Sequence, residues 1–258
     1  MDLGILWIST GFFLASFGVA LWGLRNRRQA PTPLRYGLMA TGFAGQCGFL
    51  AIRGNELERC PLTNGFEILV FVSWATVLLY FVIGTPFRLS LLGFFTAPLV
   101  AGLQLLALLL PLDRRTDLGP TDFWLELHAA VSLLAYGAFA LAFLAGIMFL
   151  LQDWQLKRGR LETLFYQLPA IHYLGRALQR LLLTGFTLLS VGIGSAFMMQ
   201  RFPGVPKLAL ILLVWCGYGL VLLLHRVRGM GSRSSAIAAV LCFALPVMSY
   251  WVLTRSSL

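Results

Sequence analysis

Acidic residues are scarce: ten Asp and Glu in 258 residues, with all charged residues together at 12%. A soluble domain of this length carries about twice that charge. The chain also has no Walker motif, no glycine-rich dinucleotide loop following a strand, and no GxSxG elbow, so it offers none of the usual scaffolds for nucleotide or acyl chemistry. Its four cysteines, Cys47, Cys60, Cys216 and Cys242, stand singly. Without CxxC or CxxCH there is neither a thioredoxin-type dithiol nor a covalent c-haem attachment point. Carboxylates inside apolar stretches come down to Glu67, whereas ion-coupled transporters bury several such groups beside broken helices. That counts against transport.

What the chain has instead is hydrocarbon. Hydrophobic residues make up 59% of it, and the mean hydropathy is +0.82. In a bilayer each unpaired backbone amide costs several kcal/mol, so only helices or closed barrels cross it. The apolar runs are continuous and rich in Leu, Phe and Ala rather than alternating, which predicts helices. At 1.5 Å per residue a bilayer core of about 30 Å needs roughly 20 residues. That ruler predicts eight spans, near 3–24, 36–52, 65–84, 91–110, 125–152, 181–200, 208–225 and 235–254. The fold class is therefore all-α, a polytopic integral membrane protein with eight transmembrane helices in a single domain over 1–258. The first apolar run is kept as a mature span rather than a signal peptide. The second span is short and holds Gln46 and several glycines, which places it inside the bundle.

Basic residues set the direction. Thirteen of the 20 Lys and Arg fall on one side: Arg25, Arg27, Arg28, Arg35, Arg88, Lys157, Arg158, Arg160, Arg176, Arg180, Arg226, Arg228 and Arg233. The positive-inside rule makes that side cytoplasmic and turns both termini outward. The net charge of +10 thus reflects topology and contact with anionic lipid. It gives no footing to nucleic acid, because the basic residues are scattered between spans without a stacking platform. The longest connection, 153–180, is amphipathic in pieces: Leu161, Leu164, Phe165 and Leu168, then Ile171, Leu174 and Leu178 after Pro169. It predicts two short helices lying in the cytoplasmic interface.

Three histidines carry most of the chemical capacity. His128 opens the fifth span after Trp124 and Glu126, His225 closes the seventh beside Arg226 and Arg228, and His172 lies in the amphipathic loop. Imidazole is a good ligand for haem iron and a basic rim suits its propionates; a span-end histidine satisfied by water or a carbonyl is the plainer alternative. His128 and His225 fall at opposite membrane faces, on the order of 25–30 Å apart, and so do not share one iron. Trp74, in mid-span, has the shape to stack on a flat ligand or simply to pack in the core. Glu67 should face protein near the outer surface, with Arg53, Arg59 and His128 within reach by depth. Cys60, in an outward loop, reads as a packing residue.

The motifs around these residues resemble a known family. Residues 60–69, CPLTNGFEIL, followed by FVSW at 71–74, look like the "PLSNLYESL…LSW" segment of the cytochrome c assembly proteins, the haem-handling group that includes CcsA, ResC and CcmC. LELHAAVSLLAY at 125–136 is similar to that family's "LxxHVxxSxxSYA" segment and puts its outward-facing histidine at His128. LLLHR at 222–226, with 229–233, is similar to "YLHTR…GWRGR" and puts the family's transmembrane histidine at His225. The resemblance runs over about 36–254 and looks like the short HemX/YpjD-type branch: the tryptophan-rich WWD loop is reduced to RFPGVPK at 201–207, and the second outward histidine has no counterpart. It implies a bacterial inner-membrane protein that is not an enzyme and binds haem between helices through His128, His225, Trp74 and Glu67, with His128 on the iron. Implied partners are cytochrome c assembly or haem-biosynthesis proteins. The alternative is a HemX-like regulator or scaffold, acting through 153–180.

Overall fold

The computed structural model describes residues 2–26, 32–84, 92–110, 122–158, 171–199 and 205–248. Among these the secondary structure is entirely helical. The helices are α1 (Asp2–Arg25), α2 (Thr32–Leu57), α3 (Gly65–Leu79, continued by a π-helical turn Tyr80–Gly84), α4 (Leu92–Leu109), α5 (Phe123–Arg158), α6 (Ile171–Ala196), α7 (Val205–Arg228) and α8 (Ser232–Cys242). Six of them, α1 and α3 to α7, are long and apolar enough to cross a membrane. α2 has the length, but Arg35, Gln46, Arg53 and Glu56 hold its hydropathy down, and α8 is short.

Three sequence expectations need correcting. α2 runs well beyond 36–52, and only Met39, Gly42, Gln46 and Phe49 are buried, so it lies along the unit's side rather than in its middle. α6 starts at Ile171 instead of 181. Ile171, Leu174 and Leu178 therefore form the first turns of a long helix, because no proline or glycine-rich break separates them from the apolar run that follows. The other amphipathic piece, 161–168, lies outside the described residues, as does most of the 201–207 loop.

The chain divides into two compact units: residues up to 117 with 154–170, and 118–153 with 171–258. The first is built on α1 to α4. α1 and α2 approach closely because Gly42 and Gly45 present no side chain; a Cβ on Gly42 would stand 2.9 Å from the Phe13 ring. The Ser9 hydroxyl donates to the Gly42 carbonyl at 2.7 Å, and the Thr10 hydroxyl donates to Gln104 Oε1 at 2.8 Å. Gln46 Nε2 donates to Ser73 Oγ at 2.8 Å. Each of the four helices thus turns at least one polar side chain into the interior, and all five of these residues are buried.

The second unit is held by close packing. On α6, Gly185 sits under Phe139 and Gly192 under Ser132, at 2.5 Å from their would-be Cβ positions. Counting up α5 from Ser132 to Phe139 means counting down α6 from Gly192 to Gly185, so the two helices are antiparallel with a matched seven-residue step. Small residues at such a seam let backbones approach, the main source of helix association where lipid is as apolar as leucine. α7 adds Tyr218, stacked on Phe139 with ring centroids 3.7 Å apart and planes 1° from parallel. Trp215 Nε1 donates to Ser190 Oγ on α6 at 2.9 Å. Phe243, the C-cap of α8, stacks on Phe143 of α5 with 4.6 Å between centroids.

Candidate functional site

The hairpin joining α2 to α3 is fixed by its own backbone. α2 ends at Leu57 with Glu58 in the left-handed region, φ 52°, and the Arg59 amide returns to the Gly54 carbonyl at 3.3 Å. That six-to-one bond is a Schellman closure with a non-glycine residue at its αL position. Asn64 then caps α3, its Oδ1 accepting from the Glu67 amide at 2.9 Å. The Glu67 carboxylate reaches back: Oε2 accepts from the Thr63 amide and from the Thr63 hydroxyl, both at 2.7 Å. Oε1 accepts from Arg53 Nε at 3.0 Å, with the carboxylate fully buried and Arg53 13% exposed. Glu67 therefore ties α3, the loop and α2 together. Asn64 and Glu67 have the three-residue spacing of a capping box, the one signal in the sequence that could have revealed this role.

Trp74, the residue after Ser73 on α3, is engaged by protein. Its indole N–H points to Cys47 Sγ at 3.2 Å, Phe43 stacks on it at 6.0 Å, and Phe71 leans in at 5.2 Å.

The histidines lie in the second unit. His128, half-buried on the first turns of α5, has Nδ1 2.7 Å from the Gly192 carbonyl oxygen. A carbonyl only accepts, so Nδ1 carries the proton, and in the neutral ring the lone pair is on Nε2. Ser195 donates to the same carbonyl at 2.7 Å. His225, at the end of α7, repeats the arrangement: Nδ1 lies 2.8 Å from the Met230 carbonyl, with Ser235 Oγ at 3.3 Å. Fixing one ring nitrogen on a carbonyl and leaving the other open is how proteins orient a ligating imidazole. His172 is exposed and set against Tyr173, with ring centroids 4.1 Å apart.

The two oriented histidines are well separated. α5 and α7 run parallel, both antiparallel to α6, and Phe139 and Tyr218 mark one level. His128 precedes Phe139 and His225 follows Tyr218, which puts them about 27 Å apart along the axes at 1.5 Å per residue. No group of three or more His, Cys, Asp or Glu comes together among the described residues. The structure thus brings Glu67 to Arg53 and sets His128 and His225 at opposite ends of one unit. The sequence reading missed Thr63 and Asn64, and it missed Gly192 and Met230, whose carbonyls leave no trace in a side-chain pattern.

Comparison with known proteins gives this geometry a lineage. The chain is 28% identical over 236 residues to Protein HemX of Brevibacillus brevis, covering 87% of this chain and 85% of that protein. It is 26% identical over 305 residues to the cytochrome c biogenesis protein CcsA of Thermosynechococcus vestitus, covering 97% and 95%. With CcsA of Gloeobacter violaceus it shares 29% identity over 131 residues, 49% of this chain and 39% of that protein. The model of the family described as Cytochrome C assembly protein matches residues 62–257, from the loop that Glu67 fastens past both oriented histidines, and the chain belongs to that family.

Proposed function

We propose that this chain is a membrane haem-handling protein of the cytochrome c assembly type that holds haem between transmembrane helices and catalyses no reaction itself. The observation that carries the reading is the ring of His128, fixed by the Gly192 carbonyl with Nε2 left as the open donor. That donor fits haem, because a neutral imidazole nitrogen is a good ligand for haem iron and His128 would supply it. In this reading His128 holds the iron at the outward face and Gly192 keeps its ring from turning. His225 offers a second position at the inner face. Glu67 keeps the outward α2–α3 hairpin in register, and Trp74 stiffens the wall beneath it. The partners are haem, the lipid bilayer, and cytochrome c assembly or haem-biosynthesis proteins.

The arrangement proposed is one domain over 1–258 in the bacterial inner membrane, with α2 and α8 completing eight spans and both termini outward. The basic asymmetry supports it. Reporter fusions at Lys157 should be cytoplasmic and at Arg115 external; an external Lys157 overturns the topology.

Haem titration of the purified protein tests the haem reading. Wild type should give a saturable Soret change and His128→Ala should lose most of it, with His225→Ala affected less. Equal saturable changes in wild type and His128→Ala remove His128 from the site. A second reading, a HemX-like regulator or scaffold, is favoured by the length shared with HemX and by the absence of tryptophan from 201–207. Colourless protein in every titration selects it.

A further inference from the structure

The turn between α7 and α8 gathers positive charge that is largely unbalanced among the described residues. α7 ends in His225, Arg226 and Arg228. Both arginines are exposed, and neither makes a hydrogen bond or ion pair among the described residues. Gly229, with φ 60°, reverses the chain, and His225 Nδ1 on the Met230 carbonyl holds the reversal. α8 then begins behind Gly231, a cap with no side-chain hydrogen bond, and has no acid in its first turn. A helix N-terminus carries about half a positive charge, which a carboxylate usually offsets. Here that turn carries Arg233, which reaches Asp153 on α5 at 3.2 Å yet stays 62% exposed.

The helix dipole accounts for part of this. Cations suit the negative C-terminal end of α7, so Arg226 and Arg228 have a local reason to be there. Arg233 at a positive end does not, and of the three guanidinium groups it alone is paired with a carboxylate, Asp153, among the described residues. Beside them on the same helix turns, Leu223 is 58% and Val227 71% exposed, at the end of an apolar helix long enough to cross a membrane. Guanidinium forks and free amides bind phosphate; the adjoining apolar side chains suit acyl tails.

We infer that the α7–α8 turn is a binding site for the phosphate headgroup of an anionic phospholipid, held by Arg226, Arg228 and the uncapped start of α8 with Arg233. The site rests on the chain spanning a bilayer and is independent of haem.

Native mass spectrometry of the detergent-solubilised full chain tests it, with phosphatidylglycerol, phosphatidylcholine of matched acyl chains, and inorganic phosphate as probes. Phosphatidylglycerol adducts should be favoured over phosphatidylcholine. The preference should fall about fivefold for each arginine removed in Arg226→Gln and Arg228→Gln. It should survive in Arg25→Gln, an exposed basic residue at the end of α1, and mostly survive in the doubly substituted Arg226→Lys, Arg228→Lys protein. Four results overturn the proposal: an unchanged preference in the double Gln variant, an equal loss in Arg25→Gln, a loss in the Lys pair as large as in the Gln pair, or full displacement of lipid by inorganic phosphate. The last would mark a free-anion site instead.

Discussion

In α1 to α4 the interior is threaded with hydrogen bonds: Ser9 to the Gly42 carbonyl, Thr10 to Gln104, Gln46 to Ser73, and Arg53 to Glu67 where the hairpin closes the unit. In α5 to α8 the interior is mostly alanine, leucine, glycine and stacked rings, and the two oriented rings, His128 and His225, sit at the ends on backbone carbonyls. Both are answers to a solvent that gives helices no hydrophobic reason to associate. A polar interior consumes its side chains in holding itself together, as Glu67 does with both carboxylate oxygens engaged by Arg53 and Thr63. A close-packed interior leaves its few polar rings oriented by backbone carbonyls and open on the far nitrogen. The second unit is therefore the better place to look for ligand chemistry, and the first for structural polarity.

The largest effect expected from breaking this contrast is at Glu67. Glu67→Ala takes the carboxylate away from a guanidinium that is nearly buried and removes the acceptor of the Thr63 amide. Removing one partner of a buried ion pair costs about 3–5 kcal/mol. Reversible unfolding in bicelles, followed by steric trapping, should show a loss of that size, while haem titration of the folded fraction keeps its His128 dependence. A loss of under about 1 kcal/mol, the range of an exposed pair, would mean that water reaches the Arg53–Glu67 contact and that the first unit is not fastened there.

Gly185 is the matching point in the second unit. A methyl group there meets Phe139 at 2.5 Å, and Phe139 has Tyr218 stacked on it at 3.7 Å, so the ring has little room to yield. Overpacking of this kind costs about 1–3 kcal/mol. Gly185→Ala should destabilise by that amount and, by shifting α6 against α5, also move the Gly192 carbonyl and weaken any His128-dependent Soret change. An Ala variant as stable as wild type would show that the seam is slack and that His128 is not held by α6 packing.

Much of this architecture was legible in the sequence wherever lipid dictated it. The ends of α1, α4 and α7 fall within a few residues of the apolar runs, because a helix that leaves hydrocarbon has nothing else to mark its end. The extent of α2 is hidden because Arg35, Gln46 and Arg53 break the apolar run while the helix continues, its polar residues partly satisfied by α1 and α3. The start of α6 is hidden because the amphipathic period of Ile171, Leu174 and Leu178 looks the same in an interface helix and in the first turns of a span. At the site, depth alone puts Arg53, Arg59 and His128 within reach of Glu67, and the structure pairs the carboxylate with Arg53. The tautomers of His128 and His225 were beyond reach, since their partners are main-chain carbonyls placed by the α5–α6 seam and by the turn at Gly229.

The smallest effect should come from Gln46, and its smallness is informative. Its Nε2 has Ser73, but Oε1 is buried and has no hydrogen-bond partner. Gln46→Leu keeps approximately the same volume, removes that unpaired oxygen, and leaves the Ser73 hydroxyl with the Val70 carbonyl it already donates to at 2.8 Å. One interhelical hydrogen bond in a membrane protein contributes about 0.6 kcal/mol on average. Relief of an unpaired buried carbonyl works in the opposite direction. The two should nearly cancel, so unfolding in bicelles is expected to shift by less than about 0.6 kcal/mol. A cost near 2 kcal/mol would instead mean that Oε1 has a partner in the folded protein, a buried water bridging it to neighbouring polar groups being the natural one. The polar interior of the first unit would then be hydrated, with water joining the side-chain hydrogen bonds that hold α1 to α4 together.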